Sequence, residues 1–295
     1  MKRIRYSILW LLLLVNTMAG SAQSNGGLKI KIYCTNWGMT DSWDVFCAKV
    51  KDAGFDGVET WLPGTDTERS DMLEALKRYE LSLGLLCGGG GRSFQEYHDS
   101  FVKNIETAIR VKPDYINCHT GKDYYTFQQN STLIDAASKL SKLNNLPIYH
   151  ETHRGRFSFA AHVTKRFLEE LPALSLALDI SHWCNVHESL LSDQKETVEL
   201  ALQRTGHIHA RVGHPQGPQV NDFTAPEWKS TLEQHLAWWD RIVQLHKEKG
   251  RGTLTITTEF GPAGYLPTLP YTQQPVSSQW QQNVSMLKLL RARYK

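Results

Sequence analysis

Four short apolar runs in the second half of the chain carry an acid–base group at or near their ends. These are Glu151 in "LPIYHE", Asp179 in "LSLALD", His209 in "GHIHAR" and Glu259 in "TLTITTE". A lone glutamate in such a place is usually solvated, and a lone strand histidine is usually a hydrogen-bonded core residue. Four of them in successive runs are harder to dismiss. Carboxylates gathered at one spot out of water repel one another unless a cation lies between them. Three carboxylates and one imidazole suit one hard, six-coordinate divalent ion such as Mn²⁺, Mg²⁺ or Co²⁺. Structural zinc prefers tetrahedral cysteine and histidine ligands, although this donor set leaves Zn²⁺ open.

The densest stretch is "YHETHRGRF", residues 149–157. Glu151 is its expected ligand. By the two-residue strand period His153 faces the same way, toward a substrate, while His150 and Thr152 face outward. Arg154 and Arg156 line the mouth or cap the next segment. The same period places His207, His209 and Arg211 on one face of their run.

Such groups need a scaffold that brings distant segments to one rim. Eight strand-like runs alternate with amphipathic helical patterns: "KIKIYC", "DGVETW", "LSLGLLC", "DYINCH", "PIYHE", "LSLALD", "GHIHAR" and "TLTITTE". That alternation predicts right-handed parallel crossovers. Eight units predict an α/β fold, a (β/α)8 TIM barrel, whose active sites lie at the C-terminal strand ends. No linker divides the chain, so one domain is expected over residues 23–295. Trp37, Trp61 and Trp183 follow strands one, two and six. Aromatic faces at a barrel mouth suit the apolar side of a sugar, with core packing as the competing explanation.

The Glu/Asp/His/Glu order on strands five to eight, with "DISH" at strand six, resembles the xylose isomerase-like TIM-barrel superfamily. That superfamily includes sugar phosphate isomerases and epimerases, ketose 3-epimerases and the AP endonuclease 2 type. The resemblance covers essentially the whole chain after residue 22. It implies that Glu151, Asp179, His209 and Glu259 bind the metal and that Glu151 and Glu259 double as acid–base groups. It also implies that His182 and Arg211 contact substrate and that His119 of "NCHTG" occupies a common histidine position. "EFGPAGYLP" and "ARVGHPQGPQVND" resemble a secreted branch of the superfamily.

The chemistry such a site suits is proton removal next to a carbonyl. The metal would bind the carbonyl oxygen and a neighbouring hydroxyl, stabilising an enediolate. One glutamate would abstract the proton and the other return it. A positioned base supplies about 10²–10⁴-fold, short of the roughly 10⁶-fold that enzymes need, so the metal must supply the rest. An isomerase or epimerase of a free sugar is the first expectation. A lyase that expels the aglycone from a 3-keto-glycoside through the same enolate is the second. A non-catalytic sugar binder is the third. Three-zinc endonuclease chemistry is disfavoured, because strand three ends in "CGGGG" without histidine and no His-x-Asp-x-His follows strand seven.

The remaining features bound where and on what the chain acts. Lys2, Arg3 and Arg5 precede an apolar stretch and the small residues Ala19 to Ala22, the order of a secretory signal peptide. The stretch is shorter than the roughly 20 residues of a membrane span. Cleavage after Ala22 predicts a secreted or periplasmic chain starting at Gln23, with no lipoprotein cysteine and no membrane partner. Removing residues 1–22 leaves 30 basic and 30 acidic residues. A neutral surface offers no general attraction to nucleic acid. "CGGGG" lacks the Lys-Ser/Thr of a phosphate loop and reads as a mobile rim loop, so an unphosphorylated sugar or glycoside is the expected partner. Five cysteines at irregular spacing read as buried thiols. Oligomerisation is left open.

Overall fold

The computed structural model of the protein describes residues 27–295. The expected signal peptide, residues 1–22, lies outside them. Eight parallel strands close into a barrel in chain order. They are β1 Lys29–Thr35, β2 Gly57–Trp61, β3 Ser82–Gly88, β4 Tyr115–His119, β5 Ile148–Glu151, β6 Leu176–Leu178, β7 Thr205–Ala210 and β8 Thr253–Thr258. Closure is made by β1 against β8, in register from Lys29↔Thr253 to Cys34↔Thr258. The intervening helices are α1 Trp43–Ala53, α2 Asp66–Arg78, α3 Phe94–Arg110, α4 Phe127–Asn144, α5 Ala161–Glu170, α6 Ile180–Val186, α7 Lys195–Arg204 and α8 Lys229–Glu248. A last helix, α9 Gln279–Arg293, follows β8. Among the described residues no helix is long and apolar enough to cross a membrane.

The strand alternation separates two environments. Ile32, Cys34, Val58, Leu85, Cys87, Ile116, Cys118, Ile208, Leu254 and Ile256 belong to the apolar cluster shared with the helices. All five cysteines are buried free thiols. The other parity points inward. At the bottom of the barrel Tyr33, Tyr115 and Tyr149 are large side chains opposed by glycines: a Cβ on Gly57 would meet the Tyr33 ring at 2.6 Å, and one on Gly84 would run into Tyr115. Large residues facing small ones fill the interior without voids. The same packing stands the Tyr115 hydroxyl up toward the next, polar layer.

Helix signals agree with this layout. Ser93 and Glu96 form a capping box at the start of α3, and Arg110 lies in its last turn. "CGGGG" departs from expectation. Ser100 of α3 holds both polar atoms of Gly90, accepting from its N–H at 2.8 Å and donating to its carbonyl at 2.6 Å. A Cβ at Gly89 would meet the Tyr97 carbonyl at 2.7 Å. The glycines let the loop press onto α3, so this segment is tied down rather than free.

Candidate active site at the C-terminal rim

Ligand atoms of Glu151, Asp179, His209 and Glu259 all lie within 4.8 Å of one another, and all four residues are buried. Each arrives differently. Glu151 is the last residue of β5. Asp179 follows β6 directly and caps α6, where its Oδ1 accepts from the Ser181 N–H at 3.1 Å and the Ser181 hydroxyl at 2.5 Å. His209 is inward on β7, and Glu259 follows β8.

Glu151 is fixed through one oxygen. Its Oε2 accepts from Asn117 Nδ2 at 2.8 Å and lies 2.9 Å from His119 Nε2. Burial pushes its carboxyl up, but His119 and His209 outweigh burial and hold it well below the usual carboxylate range. Asp179 goes the other way. Burial, with Glu259 and Glu151 nearby, raises it to about 6 despite Arg211 and His209. Burial lowers His209, yet Glu259, Glu59 and Glu151 lift it well above the ordinary histidine value.

These groups fit a divalent ion. His209 Nδ1 and Glu259 Oε2 stand 2.8 Å apart, yet both are buried atoms with no hydrogen bond of acceptable geometry. Two ligand atoms this close and not hydrogen-bonded to each other are placed as a shared ion would need them. The three carboxylates face one permanent cation, Arg211, whose Nη2 donates to Asp179 Oδ2 and lies 3.5 Å from Glu259 Oε2. A divalent ion would balance the negative excess that the protein leaves.

A cleft opens above, lined by Trp37, Trp61, Leu86, His119, Glu151, His153, Arg211, Glu259 and Tyr265. Trp37, Trp61, His119, His153 and Arg211 thus come together with both glutamates at one mouth. Burial holds His153 down at about 4, so its ring is neutral near pH 7. It packs at a tilt against His119, with 4.8 Å between ring centroids.

Two expected substrate contacts are placed elsewhere. Trp183 is fully buried, and its indole N–H donates to the Ser158 carbonyl at 2.8 Å. Helix α6 begins immediately after Asp179, so no loop exists to carry Trp183 to the mouth, and it is a core residue. His182 is also fully buried, behind His153 at 4.0 Å between rings, with its Nε2 3.1 Å from Arg211 Nη2. It backs Arg211 rather than lining the cleft.

The sequence reading missed three contributors. Tyr265, in the segment after β8, packs edge-on to Trp37 at 4.8 Å and lies under the guanidinium of Arg211 at 4.9 Å. No periodicity in that segment announces it. Asn117 sits two residues before His119, at an inward position whose parity was available. Glu59, the one charged residue of β2, is fully buried in the barrel. Burial raises its carboxyl, but His209 and His207 outweigh this and keep it below the usual range.

A family model described as xylose isomerase-like TIM barrel matches residues 47–288. No curated protein sequence matches the chain significantly. Similar solved structures include 3-keto-D-glucoside 4-epimerase from E. coli, with TM-score 0.58 and 15% identity over 90% of this chain and 100% of that one. A D-tagatose 3-epimerase-like protein has TM-score 0.59 and 13% identity, covering 89% of this chain and 96% of the other. The probable 3-DHS dehydratase AsbF of Bacillus anthracis has TM-score 0.57 and 14% identity, covering 88% and 98%. At these identities the likeness is one of fold.

Proposed function

Because the chain belongs to the xylose isomerase-like TIM barrel family, we propose that it is a divalent-metal-dependent isomerase or epimerase of an unphosphorylated sugar. The observation that carries this reading is the buried Glu151, Asp179, His209 and Glu259 cluster beneath an aromatic cleft. Epimerases among the structural neighbours agree with it. Those four residues would hold the ion. When bound, it would supply Lewis-acid neutralisation of charge developing on a substrate carbonyl oxygen.

The protein's own groups supply the rest. Glu151 and Glu259 lie on non-adjacent strands and both reach the cleft, so they address different sides of a bound ring. One removes the proton beside the carbonyl and the other returns it. Asn117 and His119 hold Glu151 by Oε2, leaving Oε1 to face inward. Arg211 offers a fixed positive charge at the cleft wall. Trp37, Trp61 and Tyr265 present apolar surface to the ring faces and exclude water. With the signal-like residues 2–22 and without a convincing phosphate loop, action outside the cytoplasm on a free sugar or glycoside is part of this proposal.

One observation favours a second reading. A neighbouring groove shares Trp61 and Leu86 with the cleft and adds Arg69, Asn104 and Thr107. It has room for a second ring or aglycone beside the first. A lyase that eliminates the aglycone from a 3-keto-glycoside would use the same proton abstraction.

NMR in D₂O with a panel of sugars and 3-keto-glycosides tests the proposal. Solvent deuterium should enter the carbon beside the carbonyl. An epimerase labels substrate and product, whereas a lyase releases aglycone. Tight sugar binding with neither exchange nor turnover would leave a non-catalytic binder and refute the enzymatic reading.

A further inference from the structure

Beneath the four rim ligands lies a second buried polar layer that the proposed reaction does not use. Glu59 on β2 is its centre. Its Oε2 accepts from the Tyr115 hydroxyl at 2.6 Å and lies 3.1 Å from His207 Nε2. The Tyr115 hydroxyl also meets Thr257 Oγ1 at 3.1 Å, and His207 Nδ1 meets Thr255 Oγ1 at 2.7 Å. The other oxygen, Oε1, has no hydrogen bond of good angle and lies 2.7 Å from His209 Nε2. A buried carboxylate is expensive unless it is paired. The Tyr115 hydroxyl pairs Oε2, with His207 close by but not hydrogen-bonded to it, while Oε1 faces His209.

We propose that Glu59 is a positioning residue for the metal centre: it holds the proton of His209 on Nε2 and so presents Nδ1 to the ion. This rests on the metal reading above. Of the two groups close to Nε2, Glu59 Oε1 at 2.7 Å is the one able to accept a proton when Nδ1 turns its lone pair toward an ion. The other, Asn117 Nδ2 at 3.0 Å, is a donor that also serves Glu151 Oε2 at 2.8 Å and cannot accept that proton. With Nε2 protonated, Nδ1 carries the free lone pair, and Nδ1 is the nitrogen that stands 2.8 Å from Glu259 Oε2 and 3.8 Å from Glu151 Oε1. A carboxylate behind a ligand histidine fixes its ring and strengthens it as a donor. A shared cation held by Glu59, His207 and His209, which also converge, is the competing explanation.

Metal titration of the folded protein decides between these. Glu59→Gln should bind Mn²⁺ about 10–100-fold more weakly than wild type. Tyr115→Phe removes a neighbour of Oε2 only, and should lower the melting temperature while leaving Mn²⁺ affinity in place. Equal affinity in wild type and Glu59→Gln would overturn the proposal, as would a second tightly bound equivalent that vanishes with Glu59. Should Glu59→Gln not fold, ¹⁵N-histidine NMR of Zn²⁺-loaded wild type gives the same answer. Nδ1 ligation with an exchange-protected Nε2–H is expected, and Nε2 ligation would refute it. Absence of any metal uptake by wild type would instead overturn the metal reading itself, and this proposal with it.

Discussion

Replacing Glu151 and Glu259 in turn by glutamine should produce two different defects, because the two carboxylates are held differently. Glu151 Oε2 faces two nitrogens, Asn117 Nδ2 at 2.8 Å and His119 Nε2 at 2.9 Å. In Glu151→Gln the amide oxygen must stay with the Asn117 donor, since an NH₂ there would oppose it. The NH₂ then occupies the place of Oε1, where it neither ligates an ion nor accepts a proton. Glu259 Oε2 has no hydrogen-bond partner, so in Glu259→Gln the amide is free to turn its oxygen toward the ion. Both variants lose a general base or acid, which should lower turnover by about 10²–10⁴-fold. Only Glu151→Gln should also lose metal. The assay pairs elemental analysis with the rate of deuterium entry from D₂O into the sugar. Equal metal content in the two variants would refute the geometric argument. Wild-type exchange in either would remove that residue from proton transfer.

Four further outcomes are expected. Trp61, half-exposed at the cleft, should contribute about 0.5–1.5 kcal/mol to sugar binding, so Trp61→Ala should raise the dissociation constant roughly 2- to 10-fold by calorimetry, with unchanged melting. Trp183→Phe should instead lower stability by about 1–3 kcal/mol in urea melts by orphaning the Ser158 carbonyl, with substrate binding intact. His235 is buried, accepts from the Gly213 N–H and donates to the Thr231 carbonyl, and burial lowers it to about 4. The unfolded chain therefore takes up that proton first, so stability is full above pH 6.5 and falls by about 3 kcal/mol toward pH 4, at 1.36 kcal/mol per pKa unit; a flat urea-midpoint profile across that window would contradict it. N-terminal sequencing of the exported chain should begin at Gln23, and an uncleaved cytoplasmic chain would refute the proposed location.

The barrel and the charged residues gathered at its rim were readable for one physical reason. Apolar runs of strand length end where the chain leaves the core, so Glu151, Asp179 and Glu259 announce themselves as charges at those ends. Parity then separates inward His209 from outward Ile208. The same rule would have found Glu59, but a charge in the middle of "DGVETW" looks like one residue of a half-solvated strand, and only barrel closure shows that both faces are buried. Trp183 was misplaced because "DISHW" reads as a strand followed by a loop, whereas Asp179 caps a helix at once and turns Trp183 into the wall. His182 shares that cause. Tyr265 had no pattern to betray it, since its approach to Trp37 depends on how an irregular segment crosses the mouth.

The metal content of the folded chain is the most direct test of the proposed centre. After Mn²⁺ supply and removal of loose ion, elemental analysis should find one divalent ion per wild-type chain and far less in His209→Ala. No ion in wild type, or the same amount in both proteins, would contradict a site built from Glu151, Asp179, His209 and Glu259.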